Sequence, residues 1–468
     1  LWMIHNSLLI ILNLFFLSHM ILRSIQYRFL SPSLPSNVIM KEVSLQSPTR
    51  RQGVIMFALL ICAYIIFATN WVAGSNLSKQ ITDHYFNGEK VSPIISEIVN
   101  YTITIARIIA NLLAAYILIK LHPRKAAIFA LFCLCFSFFA IFSHNYWLYT
   151  ISRMIMALGG SMIMVFINTY VAKFIPNDKK ILTSAIITAS YNFGAAVVAI
   201  LFLVFKERFI DDWHYTMIGF SIFSIIIFII WLAVAKDFEP TITWKHPNYF
   251  VYKLLIESKE VAEDEELKEY TYADGFRDKF IYFFSLGFGG FLFLYVMPLV
   301  SLPRVVAEHS HNANFKPEFM ILMVTIGGIV GTLSNILITR KFDFRRKPFL
   351  ILHGVLMIGF MTIGLSVVST NAILAYIMFA LSGFTMYSQY PVYLNYPYEL
   401  PKMNSQKLTI MFGMFWAFGY AIYTLFNFIW SLILNHFGYV SSISFYLVGS
   451  VIYIIFVFAF PETRIKRK

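Results

Sequence analysis

The chain has 468 residues, of which 59% are hydrophobic and only 13% are charged, and its mean hydropathy is +0.69. This composition excludes an ordinary soluble globular domain and predicts a polytopic membrane protein embedded in a lipid bilayer. The formal net charge of +13 does not indicate nucleic acid binding, because the basic residues lie in short loops between apolar segments, where they set membrane topology.

The first segment, residues 1–49, opens with an apolar run over residues 1–22. Three interpretations are open: an extra N-terminal hydrophobic helix, a signal-like segment, or translated sequence upstream of a start at Met40. No small-residue cleavage site follows the run, which argues against a signal peptide. The sequence Met40-Lys-Glu is typical of a cytoplasmic beginning and favours the third interpretation, in which residues 1–39 are not native.

Twelve apolar spans follow, each long enough to cross a bilayer as a helix. They lie near residues 53–76, 93–119, 126–143, 146–172, 181–205 and 213–235, and then near 280–302, 317–339, 348–368, 371–397, 406–432 and 439–460. The polar segment 236–279 separates the two sets. The sequence therefore predicts two six-helix bundles, over residues 50–235 and 280–468, joined by a linker on the cytoplasmic side.

Most lysines and arginines of the loops lie on one side of this arrangement. That side includes both ends of the twelve-span core and the turns after the second and eighth spans. Because basic loops stay in the cytoplasm, we expect both ends of the core to be cytoplasmic and the protein to lie in the plasma membrane.

The second span carries a polar stripe on an otherwise apolar helix. Its residues, at steps of three and four, share one helix face: Glu97, Asn100, Thr104, Arg107 and Asn111. Arg107 falls near the middle of the span, where a charge costs about 2.5–3.5 kcal/mol. The stripe favours a water-accessible cavity in which Arg107 binds an anion through two parallel hydrogen bonds. The alternative is an arginine tied to backbone carbonyls of neighbouring helices.

The two halves share landmarks. Lys120-Leu-His-Pro-Arg-Lys follows the second span, and Arg340-Lys-Phe-Asp-Phe-Arg-Arg-Lys follows the eighth. With the Arg153-to-Gly160 pattern of the fourth span, Phe174-Ile-Pro and Asp212-Trp-His, these turns resemble the major facilitator superfamily over about residues 50–462. The stretch Pro397-Tyr-Glu-Leu-Pro is similar to the anion-porter branches that include cyanate- and nitrate-type carriers.

This resemblance implies alternating access between two six-helix pseudo-repeats around a site at the bilayer midplane. It also implies a conformational role for the two basic turns, whose residues here are Lys120, Arg124, Lys125, Arg340, Asp343, Arg345 and Arg346. The first turn lacks the family's acid and glycine, since Ile119 and His122 or Pro123 stand there, so Arg124 and Lys125 as plain cytoplasmic anchors are the alternative. In nitrate-type relatives a second arginine on the eighth span completes the site, but Gly327 occupies that position.

Further polar residues in the spans are candidates for substrate contact. They are Asn70, Arg153, Asn192, Gln389 and Tyr393. Arg153 either lines the cavity or ties the fourth span to the first. Pro391 and Pro397 predict a bend of the tenth span at a gate. Glu97 is the acid of the polar stripe and thus the candidate for a coupling proton, with facilitated diffusion or anion exchange as alternatives.

The sequence therefore predicts a secondary or facilitative transporter of a small organic or inorganic anion, acting as a monomer. There is no phosphate-binding loop for ATP and no cluster of catalytic or metal-ligating residues, so we expect no enzyme activity, cofactor or metal. The alternatives are a carrier of an uncharged or amphipathic solute and, more remotely, a membrane receptor that does not transport.

Overall fold

A computed structural model describes residues 48–175, 180–238, 272–310, 312–341, 344–400 and 405–463. All regular secondary structure within these ranges is helical. The helices are α1 (Arg50–Asn76), α2 (Ser78–Tyr85), α3 (Pro93–Ala140), α4 (Tyr146–Phe174), α5 (Lys180–Asp211), α6 (Trp213–Val234), α7 (Tyr272–Arg277), α8 (Lys279–Val300), α9 (Leu302–His309), α10 (Pro317–Lys341), α11 (Arg346–Val367), α12 (Ala372–Asn395), α13 (Ser405–Ser450) and α14 (Ile452–Phe458). The apolar run at 1–22 and most of the predicted linker lie outside the described residues.

Several helices begin where the sequence provides a capping side chain. Thr49 forms a capping box with Gln52 at the start of α1. Asn145 accepts a hydrogen bond from the backbone N–H of Leu148 (2.8 Å), and Asn371 caps the tenth span in the same way. The fourth and tenth spans are equivalent positions in the two halves, so the shared asparagine cap supports the internal repeat.

Eleven segments of the described chain are long and apolar enough to cross a membrane. The last, Met411–Phe458, contains two spans, because the helix turns at Gly438, whose φ of 79° suits glycine. The second and third spans likewise meet within α3 at His122, with φ 62°. The predicted all-α polytopic fold with twelve spans is thus confirmed. Large apolar side chains on its outer surface, such as Leu337 and Val448, are exposed as lipid-facing residues should be.

The twelve spans pack as two sets of six, and three seams join the sets. The second span packs against the eleventh, the fifth against the eighth, and the first against the seventh. The first two seams are equivalent under the internal repeat, because the second and fifth spans of the first half correspond to the eighth and eleventh spans of the second half. Polar residues that line these seams lie between the halves, where a transport site is expected.

The short helices α2 and α9 lie after the first and seventh spans, at the end of the molecule that the basic loops assign to the outside. Arg304 of α9 donates a hydrogen bond to the Ser78 hydroxyl of α2, so the two helices meet across the halves. This end is called the α2/α9 end below, and the end with the basic turns is the opposite end.

The tenth span differs from its predicted form. Its helix continues through Pro391 to Asn395, and Pro397 lies in the short 3-10 helix Tyr396–Glu399 that follows. A proline is tolerated within a buried helix when neighbouring groups satisfy the freed carbonyl. The helix is therefore not interrupted at Pro391, and the α-helix ends at Asn395, two residues before Pro397.

Candidate functional site

The polar stripe of the second span faces the eleventh span across the seam between the halves. The Tyr101 hydroxyl is hydrogen-bonded to Ser431, and the Thr424 hydroxyl donates to Thr104 (2.7 Å). One turn further along, the Arg107 guanidinium carbon lies 4.5 Å from the centre of the Tyr420 ring. These contacts form a continuous line from the α2/α9 end to the middle of the membrane-spanning region.

Arg107 is 5% exposed and lies among aromatic rings. Besides Tyr420, its guanidinium carbon lies 5.4 Å from the centre of Phe67 and 5.3 Å from that of Trp71. Such cation–π contacts stabilise a buried guanidinium by about 0.5–2 kcal/mol each. The three rings surround the guanidinium on the seam between the halves.

The Nε and Nη1 atoms of Arg107 have no hydrogen-bond partner among the described residues. The phenol groups of Tyr64, Tyr191 and Tyr420 surround the charge, and no carboxylate of the described residues is paired with it. The backbone tie considered from the sequence is not formed in the described residues. A buried cation without a counter-charge is costly, and the aromatic rings offset only part of that cost.

Tyrosine rings continue the site from the first half into the second. Tyr191 contacts Tyr295 with ring centres 6.1 Å apart, and Tyr295 contacts Tyr387 at 5.1 Å. Asn192 lies within this group: its Oδ1 accepts a hydrogen bond from the Tyr295 hydroxyl (3.4 Å), while its Nδ2 meets no acceptor at hydrogen-bond geometry in the described part of the chain. Asn111, one turn from Arg107 toward the opposite end, is half-buried. Asn192 therefore lies at the seam between the halves, and substrate contact by Asn192 and Asn111 stays a prediction.

Arg153 has different surroundings from Arg107. It is fully buried, and its Nη2 donates to the backbone oxygen of Asn70 (2.6 Å) while its Nη1 approaches the Met156 sulfur (3.4 Å). A Cβ atom at Gly74 would lie 2.5 Å from the guanidinium, so this glycine provides the space for it. Of the two roles open from the sequence, the geometry fits the tie between the fourth and first spans.

Three other candidates prove to be bonded within their own half. The Asn70 Nδ2 donates to the backbone oxygens of Ile66 (2.9 Å) and Phe220 (3.1 Å). Gln389 accepts from Tyr453 (2.6 Å). Tyr393 donates to a backbone oxygen of α8. The sequence predicted that they line the central cavity, but their polar groups are used to hold spans together, since an amide or phenol in apolar surroundings takes the nearest partner.

Glu97 is 1% exposed and belongs to a network at the α2/α9 end. Its Oε1 forms an ion pair with Arg304 of the other half (3.1 Å), and its Oε2 accepts from Ser301 (2.6 Å) and Asn100 (2.8 Å). Asn100 in turn accepts from the Trp71 indole N–H (3.0 Å). From the sequence, Glu97 is a candidate without an identified partner, and Arg304 is not among the predicted site residues. The position of Arg304, a single basic residue just after the seventh span, is the feature of the sequence that could have identified it.

Two further contacts hold the α2/α9 end. Lys206 of the fifth span pairs with Glu318 of the eighth at 3.0 Å, which is a second ion pair between the halves. Burial raises the pKa of Tyr85 to about 12, so its hydroxyl remains protonated at neutral pH and donates to the backbone oxygen of Ser143 (3.0 Å). This hydrogen bond holds α2 against the turn that precedes the fourth span.

At the opposite end, the two basic turns have matching contacts. The backbone N–H of Arg124 donates to Asp237, just after the sixth span (3.3 Å), and that of Arg346 donates to Glu462, just after the twelfth (3.0 Å). Arg346 also binds both oxygens of Glu399, at 2.9–3.2 Å. Each of these contacts stays within one half, as the anchoring alternative predicts.

The other residues of these turns add little to that picture. Lys120, Lys125 and Arg345 are exposed. Asp343 and the side chain of Arg340 lie outside the part of the chain that the structure describes. A conformational role for the turns stays a prediction.

A family model described as Major Facilitator Superfamily matches residues 20–424. The chain belongs to the major facilitator superfamily. It is therefore a multi-pass membrane transporter with a small-molecule substrate, as the resemblance implied.

Two curated relatives come from Mesomycoplasma hyopneumoniae, strains J and 232, and both are described as uncharacterized proteins. They are 24% and 23% identical to this chain over 414 residues, which cover 81% of this chain and 82% of each relative. The names of these two relatives describe no activity.

Solved structures support the same fold. A crystal structure of a D-xylose-proton symporter matches with a TM-score of 0.66 at 14% identity, covering 89% of this chain and 99% of the symporter. The inward open conformation of the xylose transporter XylE from E. coli matches with a TM-score of 0.65, also at 14% identity, covering 88% of this chain and 98% of XylE. At this identity the likeness concerns the fold alone.

Proposed function

We propose that this transporter moves a small organic or inorganic anion by alternating access, with Arg107 as the main substrate contact. The observation that carries the proposal is the buried, aromatic position of Arg107 between the halves, where its Nε and Nη1 atoms have no hydrogen-bond partner among the described residues. An anionic group of the substrate supplies the counter-charge that the described residues do not.

A comparison with the other buried arginine supports this assignment. Arg153 is as deeply placed, yet its Nη2 donates to a backbone oxygen at 2.6 Å and it lies within one half. Arg107 instead lies on the seam and contacts Tyr420 of the other half. A guanidinium can hold a carboxylate or phosphate through two parallel hydrogen bonds, which fits a site that binds and releases its ligand.

A second candidate function is transport of an uncharged solute with a polar surface. The tyrosines at 191, 295 and 387 and the amide of Asn192 favour it, because aromatic rings and amides suit a hydroxylated or amphipathic substrate. The fold likeness to xylose transporters is compatible with this candidate.

Counterflow in proteoliposomes distinguishes the two candidates. The assay uses radiolabelled acetate, benzoate, inorganic phosphate, nitrate and xylose with the parent protein, Arg107→Gln and Arg107→Lys. Loss of the charge-assisted hydrogen bonds is expected to lower the apparent affinity for the transported anion by about 10-fold to 100-fold in Arg107→Gln. Lys90→Gln removes one exposed charge from a loop and serves as the charge-matched control.

Unchanged anion counterflow in Arg107→Gln would contradict the proposal. Counterflow of xylose but of none of the four anions by the parent protein would favour the second candidate instead.

A further inference from the structure

A chain of direct contacts connects Arg107 to the α2/α9 end. The Trp71 ring packs on the Arg107 guanidinium, with 5.3 Å between the ring centre and Cζ. The indole N–H of the same residue donates to Asn100 Oδ1 at 3.0 Å, and Asn100 Nδ2 donates to Glu97 at 2.8 Å. Glu97 then pairs with Arg304 of the other half.

The Glu97–Arg304 pair has the properties of a latch between the halves. Arg304 donates to Ser78 and, at 3.3 Å, to Ser96, so its guanidinium is held by three residues of the first half. Glu97 is 1% exposed, and removal of one partner from a buried ion pair leaves an uncompensated charge. Alternating access requires this end to open, so the latch must break in each cycle.

We propose that Glu97 and Arg304 form the latch that closes the α2/α9 end, and that Trp71 is the positioning residue through which an anion on Arg107 releases it. The second part rests on the proposed function. An anion that binds Arg107 neutralises the guanidinium and weakens its attraction for the Trp71 ring. The indole can then move away, and Asn100 loses one of its two donors.

A second hydrogen bond to Asn100 limits how far loss of the Trp71 contact weakens the latch. Asn100 Oδ1 also accepts from the Ser75 hydroxyl at 3.2 Å, so loss of the Trp71 donor loosens the latch without destroying it. Given the strength of a desolvated cation–π contact, anion binding is expected to shift the opening equilibrium by about 5-fold to 30-fold. A ligand shifts such an equilibrium only through this difference in affinity between the closed and open forms.

The opening can be measured with one reporter cysteine. Ser431 is fully buried and bonded to Tyr101, one turn deeper than Glu97, so Ser431→Cys reacts with a maleimide only after the seam separates. The three native cysteines, Cys62, Cys133 and Cys135, are replaced by alanine, and labelling is followed in purified protein. In this background Glu97→Gln is expected to speed labelling at least about tenfold.

Glu318→Gln is the matched control, because Glu318 is a buried carboxylate that also pairs across the halves but has no contact with the Trp71 network. It is expected to change the labelling rate less than about threefold, since the side chain of its partner Lys206 is 45% exposed and the pair is therefore screened by solvent. Arg304→Gln breaks the latch from the other half and keeps the test valid if Glu97→Gln does not fold. Slow labelling in Glu97→Gln or Arg304→Gln, or equal acceleration in Glu318→Gln, would overturn the latch.

Trp71→Phe tests the coupling, because phenylalanine keeps a ring for Arg107 but lacks the N–H for Asn100. Acetate, benzoate, phosphate and nitrate are each added at saturation. The anion that binds is expected to speed labelling in the parent and to have no effect in Trp71→Phe, with its affinity nearly unchanged. Acceleration that persists in Trp71→Phe would overturn the coupling while the anion proposal stands. If no anion binds, the proposed function and the coupling fail together, and the labelling of Glu97→Gln still decides the latch.

Discussion

The two buried arginines should respond differently to the same substitution. Arg107 lies on the seam, where its Nε and Nη1 atoms have no hydrogen-bond partner among the described residues, whereas Arg153 donates to the backbone oxygen of Asn70 at 2.6 Å. We expect Arg153→Gln to destabilise the protein clearly more than Arg107→Gln, and only Arg107→Gln to abolish the response to anions. The pair therefore separates a structural arginine from a substrate-binding one.

The size of the difference follows from the contacts that each substitution removes. Both substitutions relieve the cost of a buried charge, about 2.5–3.5 kcal/mol at a helix centre, so this cost cancels in the comparison. Arg107→Gln loses three cation–π contacts, which share one guanidinium and therefore contribute less than three times the value of a single contact, together about 1.5–3 kcal/mol. Arg153→Gln loses a charge-assisted hydrogen bond and leaves a buried backbone oxygen with one partner fewer, together about 3–5 kcal/mol. The expected difference is about 2 kcal/mol.

The assay is thermal unfolding of the purified variants in one detergent, with and without saturating anion. A difference of this size lowers the apparent melting temperature of Arg153→Gln by about 2–4 °C relative to Arg107→Gln. The anion should raise the melting temperature of the parent and of Arg153→Gln but not that of Arg107→Gln. The reasoning is refuted if Arg107→Gln melts at or below the temperature of Arg153→Gln, or if it keeps the anion-dependent rise.

Three further substitutions test the framework around the site. His122→Gly should raise the free energy of unfolding by about 1 kcal/mol, because glycine adopts the φ of 62° between the second and third spans without strain, and a higher melting temperature in detergent would show it. Glu399→Gln should lower stability by about 1–3 kcal/mol through loss of the pair with Arg346, and a double-mutant cycle with Arg346→Gln should give a smaller combined loss than the sum of the two single losses. Gly327→Val should reduce the yield of folded protein, because a Cβ atom there would lie 2.0 Å from a backbone oxygen of the tenth span. Gly359→Val, where nothing lies within 4 Å, is the control and should express normally.

The fold could be predicted largely from local pattern. Apolar runs of membrane-crossing length, short basic loops and repeated turns identify twelve spans and the family, and each of these signals is contained in neighbouring residues. The points at which a helix is interrupted could not be predicted in the same way, because they depend on longer-range packing. Pro391 lies within a continuous helix, and Gly438 replaces a predicted loop with a single turn.

The candidate site could likewise be predicted only in part from the sequence. The stripe of the second span is visible in the sequence because residues at steps of three and four share a helix face. The partners of that stripe are not, because they are far along the chain: Tyr420 on Arg107, Thr424 on Thr104 and Arg304 on Glu97. The hydrogen-bond partners of Asn70, Gln389 and Tyr393 within their own half could not be predicted for the same reason, since helix periodicity gives the direction of a side chain but not the neighbour it meets.

The amino-acid sequence by itself determined that the chain crosses a membrane in two related sets of six helices and that a single arginine is placed deep in the second span. Hydropathy and helix periodicity are properties of adjacent residues, so no tertiary contact is needed to recognise them. Only the tertiary structure decided which of the two buried arginines contacts the other half and which donates to a backbone oxygen of a neighbouring span. It also decided that Glu97 is held by Arg304, because both outcomes depend on the docking of residues from different halves.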